Sequence, residues 1–177
     1  MATGSDASNG AGGPDPPLMR RLRGRFASGV TVVTFRTAEG LRGVTVASFA
    51  TVSLEPPLVL VCIDQDLESG GLLTAAGAFG VSVLAEHQEL LSERFAARAP
   101  LVDAAFSGVP YFTRRTGAPL LEDALAWFDC ELHATHDGGD HAIILGRVVW
   151  GQENPADPTP LLYFTRLYGT IANLRRP

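Results

Sequence analysis

The chain of 177 residues contains no lysine, and all 14 of its basic side chains are arginine. That absence excludes a Schiff-base lysine and the lysine of a phosphate-binding P-loop. Cysteine is scarce: Cys62 and Cys130 each sit in an apolar stretch, which suits buried thiols better than a disulfide framework. No run of 18 apolar residues occurs, so no membrane contact through a spanning helix is expected. The N-terminus also lacks the basic and then apolar segments of a secretory signal, and a cytoplasmic location is the expectation. Positive charge is not in excess either. A net charge of -5 argues against a nucleic-acid partner, because phosphate binding calls for a basic face.

What is present describes one globular domain. Hydrophobic residues make up 46% and charged residues 19%, as in soluble folded chains. Residues Met1–Pro17 hold no Val, Ile, Leu or Phe and read as a disordered tail, with a single folded domain over 18–177. Gly10, Gly12 and Gly13 fall in that tail without a preceding strand and make no dinucleotide fingerprint. Leu18, Leu22 and Phe26 predict a short amphipathic helix over Leu18–Ala27, ending at Gly29. Strands are predicted at Val30–Phe35, Val44–Ser53, Leu58–Ile63 and Phe79–Leu84, each rich in Val, Ile, Thr and Phe. Alternation from Ala126 to His133, then Ala142–Trp150 and Leu161–Phe164, continues the pattern. Helices are predicted at Leu67–Ala78 and Glu86–Ala97, and Asn154–Pro160 reads as a loop. Consecutive strands with so few helices between them are not the βαβ rhythm of a parallel sheet. The fold class expected is mainly β, an antiparallel barrel with peripheral helices.

Three groups of residues could carry chemistry. In Gly43–Phe49, followed by Ser53 and Glu55-Pro56-Pro57, small and hydroxylated residues would let a flat ligand approach the backbone, though an ordinary strand reads the same. Gly139-Asp140-His141 places an acid and an imidazole at the mouth of a strand, where turn chemistry accounts for the glycines but not for the histidine. His133, His136, Asp140 and His141 invite a metal reading, yet His133 and His136 point to opposite faces of a strand, and no metal is expected. Cys130 with His133 fails as a nucleophile pair for the same reason, and no G-x-S-x-G elbow is present. Tyr163, Phe164 and Tyr168 close the chain; Phe164 reads as core, and Tyr168 before Gly169 could line a pocket.

Taken in order, these segments resemble the flavin reductase family of the FMN-binding split barrel. The residues that carry the resemblance are Phe26–Thr34, Gly43–Phe49 with Val52–Leu58, Phe79–Leu84, Gly117–Pro119, Gly139–His141, Gly146–Val148 and Pro160–Tyr163. It implies an antiparallel Greek-key split β-barrel with peripheral helices and an NAD(P)H:flavin oxidoreductase that passes hydride from nicotinamide to FAD or FMN; NADH is expected ahead of NADPH, because no arginine pair near the site stands out for a 2'-phosphate. It also implies a homodimer and a partner monooxygenase that receives reduced flavin; a nonenzymatic flavin- or haem-binding barrel is the alternative. By the same likeness Thr45, Ala47, Ser48 and Ser53 face the flavin ring and Ser69 lies near its phosphate. The full cofactor-binding set adds Val46, Cys62, Asp140, His141 and Tyr168. His141 is the catalytic position, orienting the nicotinamide rather than serving as an obligatory acid. Two departures stand out: Ala47 where a hydroxylated residue is common, and Glu68 where Ser or Thr often stands beside the phosphate.

Overall fold

Runs of β-branched residues become strands in this chain wherever glycine or proline ends them. The computed structural model describes residues 9–10, 13–65, 68–96 and 106–171. A short ladder of β1 (Asn9–Gly10) with β2 (Gly13–Pro14) precedes α1 (Pro16–Arg23). Next come β3 (Ser28–Gly29), β4 (Thr31–Thr37), β5 (Gly40–Val46), β6 (Ala50–Leu54), β7 (Pro57–Asp64) and α2 (Glu68–Ala76). Strand β8 (Ala78–Val83) leads through a 3-10 turn at Glu86–Gln88 into α3 (Glu89–Phe95). The remainder is β9 (Tyr111–Thr113), β10 (Pro119–Leu121), β11 (Ala126–Asp137), β12 (His141–Glu153), β13 (Leu162–Phe164) and β14 (Leu167–Gly169).

Seven of these strands form one antiparallel sheet in the order β5-β4-β8-β11-β12-β7-β6. The mainly antiparallel β architecture with peripheral helices is the one expected. The ladder does not close on itself, and β5 and β6 are its two ends. The sheet curls around a core of Val33, Phe35, Val44, Val46, Val59, Val61, Ile63, Phe79, Val81, Cys130 and Ile144. Leu73 of α2 enters that core with no exposed surface, which stabilises the helix by about 1.5–3 kcal/mol. A second cluster, with Val30, Val32, Leu84 and Phe95, lies under α3. Strand β4 thus has core on both faces, and Thr31–Phe35 are buried without alternation. Its two buried threonines meet their needs locally: Thr31 Oγ1 donates to Val46 O at 3.1 Å, and Thr34 Oγ1 donates to Pro119 O.

The structure corrects several boundaries. Asp15 accepts a hydrogen bond from Leu18 N at 2.7 Å and caps α1, so the helix begins at Pro16, within the stretch read as tail. Proline suits the first helical positions because its missing N–H has no partner there in any case. The helix ends at Gly24, and Ser28–Gly29 is strand. Residues 1–8 and 11–12 of the tail lie outside the described residues. Predicted strand Val44–Ser53 is two strands, β5 and β6, broken at residues 47–49. Helix α2 stops at Ala76 because Gly77 adopts a φ of +71°. Of the predicted helix Glu86–Ala97, the first three residues form the 3-10 turn and Ala97 lies outside the described residues. Six short strands, β1, β2, β3, β9, β10 and β14, were not foreseen, and the first two lie in the stretch read as a disordered tail. Phe164 is 44% exposed and is not core; strand alternation turns Tyr163 inward instead, where it packs with Tyr168.

Candidate functional site

The break between β5 and β6 is built by one hydroxyl. Ser48 Oγ donates to Cys62 O at 3.0 Å and accepts from Cys62 N at 2.9 Å. The β6–β7 register pairs Ala50 with Leu60, so Ser48 stands where main chain would next have met Cys62. Its side chain replaces a backbone pair and ties the end of β5 to β7. The peptide units of residues 47–49 consequently belong to neither ladder, which ends at Val46 on one side and begins at Ala50 on the other. Ala47 is exposed and Ser48 half-buried.

Thr45 is anchored in the same manner. Its Oγ1 donates to Ser92 O of α3 at 2.7 Å, and Ser92 Oγ, fully buried, shares a hydrogen bond of 2.8 Å with Tyr168 OH. Two residues earlier Gly43 lets α3 lie close, since a Cβ there would stand 2.6 Å from the Phe95 ring. The hydroxyl protons of Thr45 and Ser48 are therefore both given to carbonyl oxygens. Neither is a spare donor for a ligand anion, whereas the peptide units of 47–49 lie outside both ladders. Val46 points into the barrel core and offers no side chain to a ligand.

The second group sits at the far end of β7. Asp64 pairs with His141 and Cys62 with Ile143, so Cys62 and His141 are two register steps, about 7 Å, apart along the strand, with Ser48 on the β6 side of β7 and His141 on the β12 side. The turn before β12 runs through Gly139 at φ +82°. Gln65 clamps it: Gln65 N donates to Asp140 O at 3.0 Å and Gln65 Nε2 donates to His141 O at 3.2 Å. His141 Nδ1 lies 2.7 Å from Asp140 Oδ1. The hydrogen bond and charge of His141 hold the Asp140 carboxyl below its ordinary range. With Nδ1 donating to the carboxylate, Nε2 is the nitrogen presented to a ligand, an acceptor in the neutral ring.

Ser69, in the first turn of α2, belongs to this end too, because Gly70 next to it approaches Asp64 O, which would be 3.6 Å from a Cβ. Residues 66 and 67 and the side chain of Glu68 lie outside what is described. Ser53 is not brought in. It pairs with Leu58, four residues from Cys62 and about 13 Å along β7. Tyr168 reaches the break only through Ser92 and Thr45, and it lines a separate cavity of about 310 Å³ with Glu86, His87 and Thr170. Ser92 and Gln65 escaped the sequence reading. For Ser92 a signal exists: Gln88, Ser92 and Phe95 follow the i, i+4, i+7 spacing of a buried helix face, and a polar residue on such a face needs a partner.

Both cysteines are free thiols, with Cys62 half-buried. Burial, and then the charge of Asp129, push the Cys130 thiol up to about 12, so it is protonated at neutral pH and unsuited to nucleophilic attack. Among the described residues no three His, Cys, Asp or Glu side chains are grouped so as to hold a metal, and no helix is long and apolar enough to cross a membrane.

The model of the flavin reductase like domain matches residues 23–172, which is most of the chain. The chain belongs to that family. Among relatives of this flavin reductase like protein, the reductase subunit HsaB of a flavin-dependent monooxygenase from Mycobacterium tuberculosis is 39% identical over 158 residues, covering 89% of this chain and 83% of its own. The NADH-dependent FAD reductase of Streptomyces globisporus is 44% identical over 145 residues, 80% of this chain and 79% of its own. Among solved structures, the S. globisporus NADH:FAD oxidoreductase SgcE6 in complex with NAD and FAD fragments superposes with a TM-score of 0.82 at 39% identity, covering 89% of this chain and 93% of that one.

Proposed function

We infer that this protein is an NAD(P)H:flavin oxidoreductase that transfers hydride from nicotinamide to FAD or FMN and supplies reduced flavin to a monooxygenase component. NADH is the expected donor. The observation that carries the reading is the break at 47–49, held open by Ser48 on Cys62 two register steps from His141, in a chain of the flavin reductase like family.

The donor set suits a flat, polar-edged ring: peptide units outside any ladder, small side chains at Ala47 and Ser48, and an imidazole beyond them. When both are bound, nicotinamide supplies the hydride and the flavin ring accepts it. The peptide units of 47–49 would meet the polar edge of the ring, where fixed dipoles favour accumulating negative charge. Asp140 fixes the tautomer of His141, and Nε2 would accept from the carboxamide or a ribose hydroxyl to orient the donor ring. Ser69 and the adjacent amides of α2 would take a phosphate. No side chain of the chain needs to form a bond to substrate, and the protonated Cys130 thiol accords with that.

A homodimer is part of the same reading. Leu60 on β7, with Ile143 and Leu145 on β12, alternates with the core residues and faces away from the barrel, while Val52 and Leu54 on edge strand β6 are 48% and 93% exposed. A second copy would cover this apolar face. A monooxygenase partner and a cytoplasmic location complete the proposal, the latter because the expected donor is NADH. The test is steady-state oxidation of NADH and NADPH with added FAD and FMN. Turnover with at least one flavin is expected, and no oxidation above background in any pairing would end the reading.

A further inference from the structure

Strand β5 is one end of the sheet, so past Val46 no neighbouring strand on its free side holds the chain that runs into the 47–49 break. Helix α3 takes that place. Val44 and Val46 point into the barrel core, and alternation turns Gly43 and Thr45 to the opposite face, where α3 lies. Phe95 closes on Gly43, and Ser92 O accepts from Thr45 Oγ1 at 2.7 Å. The same carbonyl accepts from Ala96 N at 3.0 Å, so Thr45 takes the lone pair that the helix leaves over. The break is thereby tied from two sides, to α3 through Thr45 and to β7 through Ser48.

The helix is in turn held from the C-terminal hairpin. Ser92 Oγ, fully buried, shares its 2.8 Å hydrogen bond with Tyr168 OH. Tyr168 stands on β14 opposite Tyr163 of β13, with the two rings 5.3 Å apart, and β13 is fixed by its pairing with β3 and by Leu161 N donating to Leu84 O at 3.0 Å. A continuous path of contacts therefore leads from an anchored hairpin through Tyr168 and Ser92 to Thr45, just before the break. We propose that Tyr168 is a positioning residue of the flavin site: through Ser92 and Thr45 it sets where the peptide units of 47–49 stand, and it raises flavin affinity without touching flavin. The proposal rests on the reductase reading for the identity of the ligand.

The test titrates FAD and FMN into the full-length protein by flavin fluorescence, without nicotinamide, for wild type, Tyr168→Phe, Thr45→Val, Thr45→Ser and the double variant Tyr168→Phe with Thr45→Val. Phenylalanine keeps the ring that packs on Tyr163 and removes only the hydroxyl. Tyr168→Phe should weaken flavin binding roughly three- to ten-fold, as one lost hydrogen bond allows. Thr45→Val should weaken it by a similar factor, and Thr45→Ser, which keeps the donor, should bind as wild type does. The double variant should bind no more weakly than the weaker single variant, because both substitutions cut one path. A Tyr168 that only stabilises the fold would lower the melting temperature at unchanged flavin affinity, and that result overturns the proposal. So do losses that multiply in the double variant, which would give the two residues independent routes, and so does a Thr45→Ser that binds as weakly as Thr45→Val. Because binding is read without turnover, the two readings fail separately. A protein whose affinities follow the expected pattern but that oxidises neither NADH nor NADPH loses only the reductase reading. One that reduces flavin while every variant binds it alike loses only the positioning role, and a wild type that binds neither flavin ends both.

Discussion

At the β5–β6 break, Thr45 and Ser48 have donated their protons to Ser92 O and Cys62 O, and their hydroxyls hold main chain in place. At the β11–β12 turn, about 7 Å further along β7, the Asp140 side chain is 90% exposed and the imidazole of His141 29% exposed, and the two side chains are hydrogen-bonded to each other. The first region is polar side chains used as scaffold, while the second is polar side chains that anchor no other strand or helix. A hydroxyl-rich motif at a proposed flavin site is thus no guide to which hydroxyls are free for a ligand; the destination of each proton decides.

Substitutions should separate the two regions. The largest effect is expected for Gly43→Val, because even a Cβ meets the Phe95 ring at 2.6 Å and α3 must move off β5 with its Ser92–Thr45 bond. Overpacking of this kind costs ~1–3 kcal/mol or more, and thermal melting together with flavin titration should register lost stability and lost affinity in the same protein. Ser48→Ala comes next. It leaves Cys62 N and O without their partner at ~1–3 kcal/mol, lowering the melting temperature and flavin affinity while sparing the rate of hydride transfer within flavin-bound protein. Retention of full flavin affinity would show that the break holds its shape without the hydroxyl.

His141→Ala should reverse that pattern. Single-turnover reduction is expected to slow by an amount worth about 1–3 kcal/mol, as for a removed positioning hydrogen bond, with flavin affinity and melting temperature little changed. Unchanged hydride transfer would remove His141 from the site and reduce the contrast to one of burial. The smallest effect belongs to Asp140→Asn. Because the Asp140 carboxyl is held below its ordinary value of 3.8, its contribution to stability is present above that pH and is lost as pH falls through the lowered value. The melting-temperature gap between wild type and variant should therefore be small near neutrality and close in acid; a gap that widens toward acid would contradict the sign.

Much of the sheet was legible in the residues. Thr31–Phe35, Leu58–Ile63 and Phe79–Val83 are β-branched or aromatic runs with glycine or proline beside them, and each is a strand. The break at 47–49 was not, because Val-Ala-Ser-Phe-Ala-Thr-Val continues the strand pattern and the event that interrupts it is a contact with Cys62, 14 residues away. Strands β9, β10 and β14 have three residues each, too few for any period to show. Within the candidate site, Asp140 and His141 were readable as neighbours in sequence. Ser48–Cys62 and Thr45–Ser92–Tyr168 were not, since each joins residues whose proximity exists only once the sheet has curled.

That sheet order has a consequence for how the protein comes to exist. Hairpin β4–β5 can zip as soon as it is made, but β4 must wait for β8, and β7 pairs with nothing but its own neighbour β6 until β12 arrives some 80 residues later. Pairings of such sequence separation are the slow ones in folding. During synthesis, Cys62 and Asp64 remain on an unsatisfied edge until His141 and Ile143 have left the ribosome, so the residues proposed to meet flavin and nicotinamide are among the last to be assembled. A chain released before β12 would carry most of its strands and no site.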